Sequence, residues 1–447
     1  MSSRAATAGK ARRPPAKKRS AEAGAPSEYS MLLTATLCLL AFGAVMVFSA
    51  SSTTQVLADG GLGNSTFFLK RTLLFGIVGL VAMRVLAVGG VRMMKSLTPA
   101  FLGVSMLLLV VVLGIGSSAN GAQRWIGSGF VQVQPSELAK FALVLYGAYL
   151  LAEKPKRARS IEGMLPYLLL TGFASLLIVL QPDLGSTMIL LFAVGATLIA
   201  GGARARDLGL IAIVIGFMTL IAIVIEPYRM ARLTGFLNPG ADSVGAGFQA
   251  VQAKIALGSG GIFGVGLGDG VQKAYYLPEA HTDMIAAVIG EELGLVGIMS
   301  LVGLFGLFGY AGFRTAQKAK DYYGKVLAAG LTSLILAQAV INLFAVMGLA
   351  PLTGVPLPFV SYGNSSLLVC LAAVGLILNV ARANERGVAA VGTQRGAARL
   401  RVVEGGRSSP RGRSVARSAN GRDSRGRNRR PRRTGHGGRR RASGQGR

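Results

Sequence analysis

The sequence predicts an all-α, polytopic membrane protein with about ten transmembrane helices and a long outer loop between helices 7 and 8. Three observations predict this fold class: 51% of the 447 residues are hydrophobic, only 15% are charged, and the apolar residues are gathered in long blocks. A mean hydropathy of +0.51 combined with a formal net charge of +29 excludes an ordinary soluble domain. Most of the positive charge lies at the two ends of the chain, so we expect the ends in water and the middle in lipid.

A helix needs about 17 to 25 apolar residues to cross a hydrocarbon layer of about 30 Å. Ten blocks approach that length, the fourth and sixth being short. They cover residues 31–50, 68–88, 97–116, 138–151, 164–180, 187–200, 208–225, 284–310, 326–349 and 365–380. The predicted organisation is a basic disordered tail at 1–30, a ten-helix membrane domain at 31–380 and an Arg-rich disordered tail at 381–447.

The charges between the spans predict the topology. Lys and Arg concentrate in cytoplasmic loops, and with both tails inside, every dense basic loop (92–95, 154–159, 204–206 and 314–325) falls on the cytoplasmic side. A signal peptide at the first span would spoil this alternation. The basic tails lack interleaved aromatics, so we expect them to bind membrane lipid and not nucleic acid. Cys38 and Cys370 lie in apolar blocks, where a disulfide framework is not expected.

The outer segments are therefore where function is expected. The longest, at 226–283, is too long for a plain connector, and its apolar stretch at 248–262 predicts a re-entrant or amphipathic helix. Its end carries Glu279, His281 and Asp283. Ionisable groups at the edge of a membrane are costly, which makes this cluster a functional candidate. Asp283 could serve as a general base, or it could cap the helix that follows.

Other outer-face groups converge on the same side. The glycine-rich run 258–270 has neither a Gly-Lys-Ser/Thr ending nor a preceding strand, so it is not a phosphate loop. Its glycines allow close backbone approach beside a ligand groove, with Lys273 as the nearest cation. Arg124 and Lys140 suit a pyrophosphate, although Lys140 could pair with Glu137. Trp125 could contact substrate or anchor the interface.

The segment 354–366 opens the last span with two prolines and several small polar residues, among them Ser361 and Ser365. Such a broken helix entry either leaves backbone groups free to bind a ligand or forms a rigid turn. A metal site built on His281 would need carboxylate partners, because the other histidine, His436, lies in the tail.

Five motifs in this order resemble the SEDS family (shape, elongation, division, sporulation) of peptidoglycan glycosyltransferases. They lie at 120–126, 134–140, 181–186, 277–283 with 290–294, and 356–366. Residues 45–52 and the long basic tails resemble the division-type FtsW branch more than the elongation-type RodA branch, although the stretch at 356–359 also fits the latter. Met284, Ala286 and Ala287 replace an aromatic-rich run that is common in the family.

The resemblance implies polymerisation of lipid II into glycan strands during septal wall synthesis, in the cytoplasmic membrane. It implies that Asp283 is the base, that the reaction inverts the donor and releases undecaprenyl pyrophosphate, and that a divalent cation (Mg or Mn) assists. Predicted substrate-binding residues are Arg124, Trp125, Lys140, Lys273, Glu279, His281, Ser361 and Ser365. Expected partners are a class B penicillin-binding protein and other divisome proteins. The alternatives are a RodA-like polymerase, a lipid II flippase, and a non-catalytic division scaffold.

Overall fold

The computed structural model describes residues 27–58, 66–119, 122–127, 132–238 and 247–405. Within these ranges there are twelve α-helices and one two-stranded antiparallel hairpin, so the all-α prediction is confirmed. The helices are α1 Glu28–Ala58, α2 Phe67–Ile115, α3 Pro135–Glu153, α4 Ile161–Leu180, α5 Leu184–Ala200, α6 Ala205–Ile225, α7 Pro227–Leu237, α8 Phe248–Ser259, α9 Gln272–Tyr275, α10 Ile285–Gln317, α11 Tyr322–Val346 and α12 Asn364–Gly405. The hairpin consists of β1 Ser117–Ala119 and β2 Ala122–Trp125.

Each predicted span falls within a helix, to within a few residues at the ends. Among the described residues, seven helices (α1, α2, α4, α6, α10, α11 and α12) are long and apolar enough to cross a membrane, and α5 is a shorter apolar helix. The two predicted spans at 68–88 and 97–116 are continuous in α2, which has 49 residues. A straight helix of that length would measure about 73 Å, far more than a bilayer core.

Contacts along α2 show that it folds back on itself. The Arg71 guanidinium lies 5.8 Å from the centre of the Tyr362 ring, and the Leu109 carbonyl accepts a 3.1 Å hydrogen bond from Gln181. A short series of hydrogen bonds from Ser365 through Gln134 and Asp183 joins these two regions, whereas a straight helix would hold Arg71 and Leu109 about 57 Å apart. The two halves of α2 therefore run in opposite directions.

The basic loops lie together at the opposite end of the helices from Asp283. The Lys95 ammonium lies 5.3 Å from the centre of the Tyr323 ring, the Tyr322 hydroxyl donates to the Gly201 carbonyl at 2.6 Å, and Lys318 pairs with Glu28. The predicted alternation of charged loops thus matches the packing. Below, "the Asp283 end" means the end that carries Gln181, Asp283 and Ser365.

Helices α3, α11 and α12 form the centre, and α6 lies at the edge. In α11 and α12, 72% of the most apolar window is buried, against none of it in α6. Helix α6 therefore exposes its apolar surface all round, as lipid-facing helices do. The predicted helix at 248–262 corresponds to α8, whose Ala253 and Ala256 are buried.

The predicted disordered tails fall mostly on residues 1–26 and 406–447, which lie outside the described residues. At the C-terminal boundary α12 continues to Gly405, past residue 380, where the sequence places the end of the membrane domain. The chain divides into two compact units after Val391.

Candidate active site

Helix α10, which follows Asp283, is broken one-third of the way along. Gly294 has φ +64° and ψ −157° within it, a conformation that is essentially restricted to glycine. The glycine-rich loop fills the break: the amides of Val265 and Gly266 donate to the carbonyls of Glu291 and Glu292 at 3.0 and 3.1 Å. In the opposite direction, the amides of Leu295 and Val296 donate to the carbonyls of Gly261 and Ile262 at 3.0 and 3.1 Å.

The glycines of this loop make that contact possible. A β-carbon at Gly260 would lie 1.9 Å from the Gly290 carbonyl oxygen, and one at Gly264 would lie 2.1 Å from that of Glu292. Both neighbours are backbone atoms, which have no room to yield. The close backbone approach predicted from the sequence is therefore present, and its partner is helix α10.

Asp283 lies in the turn before α10 with its side chain partly exposed. The Thr282 hydroxyl donates to Oδ1 at 3.2 Å, and Asn342 on α11 donates to the Asp283 backbone carbonyl at 2.8 Å. Helix α10 begins at Ile285 behind Met284 with no side-chain cap. The alternative that Asp283 serves as the helix cap therefore has no support in this geometry.

The surroundings of Asp283 suit a proton acceptor. Protein atoms displace water from most of the carboxyl group, and this desolvation raises its pKa from an ordinary 3.8 to about 6, with the nearby Glu279 charge adding to the rise. The backbone amide, Thr282 and the charge of Arg232 oppose it. A carboxyl group with a pKa near 6 is mostly ionised at neutral pH, yet it binds a proton more strongly than an exposed aspartate.

Glu279 and His281 lie in the same turn. Glu279 is exposed with φ +55°, and its carboxylate accepts a 2.9 Å bond from Thr282. The His281 ring packs 4.4 Å from Phe68 and 5.6 Å from Tyr362, between ring centres. Burial lowers the pKa of His281 against the opposing charge of Glu279, so the imidazole is neutral at pH 7.

The structure brings the predicted cations Arg124, Lys140 and Lys273 into contact with protein groups. Arg124 donates to the backbone carbonyls of Gln181, at 3.1 Å, and Pro182, which joins the β-hairpin to the turn between α4 and α5. Lys140 is 1% exposed and pairs with Glu137 at 2.9 Å. Lys273 is 3% exposed and pairs with Glu292 at 2.5 Å.

Trp125, Ser361 and Ser365 also have structural contacts. The Trp125 carbonyl accepts from Ser117 within the hairpin, and its side chain is half-buried. The Ser361 hydroxyl accepts from the Leu357 amide at 2.8 Å, which stabilises the entry to α12. The Ser365 hydroxyl accepts from the amide of Gln134 and donates to the carbonyl of Gln132, joining α12 to α3.

Sequence reasoning missed three residues beside the Asp283 turn. Arg71 stacks on Tyr362 and donates to the Asn364 amide oxygen at 2.8 and 3.0 Å once that amide is turned to face it. The positive charge of Arg232 lowers the pKa of Asp283, and the Arg232 guanidinium donates to the Leu352 carbonyl. Asn342 holds the Asp283 and Val355 carbonyls with its two amide hydrogens. For Arg71, which follows Lys70, and Arg232, which lies three residues after Arg229, the available signal was a cation beside an apolar block.

No three His, Cys, Asp or Glu side chains are grouped closely enough to hold a metal ion in the part of the chain that the structure describes. A magnesium ion bound mainly through substrate phosphates needs only one or two carboxylates. Glu279, which is exposed in the Asp283 turn, could supply one such carboxylate.

Comparison with known proteins places this geometry in a family. The family model described as "cell cycle protein", covering FtsW, RodA and SpoVE, matches residues 29–386. The chain belongs to this family. The match covers every helix that contributes to the Asp283 end.

Individual relatives of the FtsW/RodA/SpoVE family are similar over most of the chain. A probable peptidoglycan glycosyltransferase FtsW from Trichlorobacter lovleyi is 42% identical over 365 residues, which cover 79% of this chain and 93% of that protein. Stage V sporulation protein E from Bacillus subtilis is 40% identical over 358 residues, covering 79% and 96%.

Two solved structures share the fold. A chain of a peptidoglycan synthase complex, described as showing structural coordination of polymerization and crosslinking, matches with a TM-score of 0.65 and 31% identity, covering 79% of this chain and 97% of that one. RodA from Thermus thermophilus matches with a TM-score of 0.58 and 29% identity, covering 80% and 97%. Together with the apolar helices, these relatives identify a multi-pass membrane protein.

Proposed function

We propose that this protein is a peptidoglycan glycosyltransferase that polymerises lipid II into glycan strands during cell division. The observation that carries the proposal is Asp283: a partly accessible carboxyl group with a pKa near 6, presented at one end of a membrane bundle of the FtsW/RodA/SpoVE family. Relatives at 38 to 42% identity include several named probable peptidoglycan glycosyltransferase FtsW. The chain is less similar to the RodA structure, at 29%, which favours the division branch.

In the proposed reaction, a hydroxyl group of the acceptor sugar attacks the anomeric carbon of the donor. A new carbon–oxygen bond forms as the bond from the anomeric carbon to the pyrophosphate breaks, and undecaprenyl pyrophosphate leaves with the bonding electrons. Asp283 accepts the hydroxyl proton. A single displacement inverts the anomeric configuration and needs one base and no covalent intermediate.

The leaving pyrophosphate requires positive charge nearby. Arg124, Lys140 and Lys273 remain the residues predicted from the sequence, but each is bound to protein groups. Arg232, half-buried and close enough to lower the pKa of Asp283, is a further candidate. A divalent cation held by Glu279 and the substrate phosphates would neutralise part of the pyrophosphate charge when bound.

We further propose that a class B penicillin-binding protein is the partner, in a complex with other divisome proteins at the septum. The similarity to a chain of a synthase complex that coordinates polymerization and crosslinking supports this. The gathering of basic loops at the end opposite Asp283 supports cytoplasmic termini and an outward-facing active site.

Reconstitution tests the proposal. Purified protein with its class B partner is supplied with lipid II, and glycan strands are separated by gel for wild type, Asp283→Ala and Asp283→Asn. We expect long strands from wild type and none from either variant, with partner binding and thermal melting as controls for folding. Equal product from all three would remove Asp283 as the base, and transfer of fluorescent lipid II across the bilayer without polymer would favour a flippase.

A further inference from the structure

The Lys273 ammonium lies in a buried polar cluster that joins three helices. It donates to the Glu292 carboxylate on α10 at 2.5 Å, to the Ser49 hydroxyl on α1 at 3.0 Å and to the Gly268 carbonyl at 2.8 Å. Ser49 in turn donates to Glu292 at 2.7 Å. Lys273 is 3% exposed and Glu292 is not exposed at all, so all three donors of the ammonium are satisfied by protein.

The neighbouring carboxylate strengthens the same attachment. Glu291 accepts from the amides of Val271 and Gln272 at 2.8 and 3.1 Å, and so caps the start of α9. Glu291 of α10 therefore binds the backbone amides at the start of α9, and Glu292 binds the Lys273 side chain of α9. Both lie immediately before the break at Gly294, where the glycine-rich loop is hydrogen-bonded to α10.

Asp283 lies ten positions after Lys273 on the same segment. At its far end the segment runs directly into α10 at Ile285, and the Asn342 amide holds the Asp283 carbonyl. The segment is thus fixed at both ends, and loss of the Lys273 contacts would leave its α9 end held by the two amide bonds to Glu291 alone.

We propose that Lys273, Glu292 and Ser49 form a latch that positions Asp283, and that Lys273 acts through Asp283 rather than on the pyrophosphate of the substrate. Lys273 is thereby a positioning residue, and the attachment to Ser49 makes the placement of Asp283 depend on α1. The proposal rests on the glycosyltransferase function proposed above and replaces the sequence-based role of Lys273 in substrate binding.

The burial of the pair explains why the latch is sensitive to single changes. Removing one partner of a buried ion pair leaves the other charge uncompensated in a low-dielectric site, which is far more disruptive than removing both. A misplacement of a reacting group by about 1 Å can cost about a hundredfold in rate. Disturbing the pair is therefore expected to lower the catalytic rate rather than the affinity for substrate.

The test compares kcat and KM for lipid II, across a pH series, in wild type, Lys273→Gln, Glu292→Gln and the double variant. The control is Lys318→Gln, which removes one of the two ion pairs that Glu28 on α1 makes with the C-terminal end of α10. Ser49→Ala, which keeps the ion pair, serves as a milder variant if the others fail to fold. Amide hydrogen exchange of residues 271–283 and of α11 is measured on the same samples.

The latch predicts a fall in kcat of about tenfold or more in each single variant, with KM changed less than about twofold. It predicts that the double variant loses no more than the worse single one, because the partners act as a unit. Water reaching a released Asp283 should move the acid limb of the pH profile below pH 6, and exchange should accelerate in 271–283 but not in α11. Ser49→Ala should show the same changes in smaller degree.

Two results would overturn the latch. A higher KM with unchanged kcat in Lys273→Gln alone would identify a phosphate ligand, and lower activity with an unmoved acid limb and unchanged exchange would identify a general stabilising role. The exchange measurement does not depend on activity. If wild type makes no polymer, the proposed function fails, while faster exchange in 271–283 would still show that Lys273 holds the segment.

Discussion

The pH dependence of polymerisation gives the most direct test of the environment of Asp283. Its pKa is raised from 3.8 to about 6 by desolvation and by the charge of Glu279. With a pKa near 6, about nine-tenths of the molecules carry the ionised base at pH 7 and about one-tenth at pH 5. An unperturbed aspartate would remain about nine-tenths ionised at pH 5, so the expected tenfold loss of activity distinguishes the two cases.

Two substitutions next to Asp283 should move this acid limb in opposite directions. Glu279→Gln removes a negative charge that raises the pKa of Asp283, so activity should persist to lower pH. Arg232→Gln removes a positive charge that lowers this pKa, so the loss of activity on acidification should begin at a higher pH than in wild type. The assay is kcat/KM for lipid II between pH 4.5 and 8.5, because that ratio reports groups of the free enzyme.

His281 is the alternative origin of an acid limb, because it lies in the same turn and burial lowers its pKa below the ordinary 6.5. His281→Gln separates the two groups. If that variant abolishes the limb, or if Glu279→Gln and Arg232→Gln leave it in place, the assignment to Asp283 is refuted.

Two further predictions concern stability. Because the folded-state pKa of Asp283 is raised, the contribution of this group to stability is complete below pH 3.8 and is lost as pH rises through 6. Asp283→Asn should therefore increase the free energy of unfolding at pH 7.5 by at most about 3 kcal/mol, seen as a higher melting temperature in detergent, and should increase it less at pH 5. An equal gain at both pH values would contradict this. Gly294→Ala would place a β-carbon 2.4 Å from the Gly264 amide nitrogen, at a residue with φ +64°. We therefore expect a lower melting temperature and at least about tenfold less polymer. The control Gly303→Ala, whose β-carbon would meet open space in the same helix, should behave as wild type.

The sequence was sufficient to predict the helices and to select Asp283 as a candidate, because both signals are local. Apolar blocks locate helices, and a polar cluster beside an apolar block marks a costly position that is retained for function. The sequence predicted a loop at residues 89–96 between two spans, whereas in the structure these residues are helical within α2. Helix propensity alone does not indicate where a chain turns.

The contacts of the cations could not be predicted, because they depend on residues far apart in the chain. Ser49 and Lys273 are separated by 224 positions, and Arg124 and Gln181 by 57. A lysine beside a glycine-rich run has the same sequence pattern whether it faces solvent or a buried carboxylate. Only the i,i+3 pair of Glu137 and Lys140 was within reach of local spacing, and it was recognised as an alternative.

The break in α10 connects these long-range contacts to the function. Backbone groups released by a break inside a membrane helix cost several kcal/mol each unless protein satisfies them, and the loop from Gly261 to Gly266 satisfies four of them at 3.0 to 3.1 Å. That loop continues through Gly268 and Lys273 into the turn that carries Asp283. A loop that must remain docked to keep α10 stable therefore also fixes the start of the Asp283 segment, so a partly exposed carboxyl group at the edge of a membrane can keep one position without being buried in a helix itself.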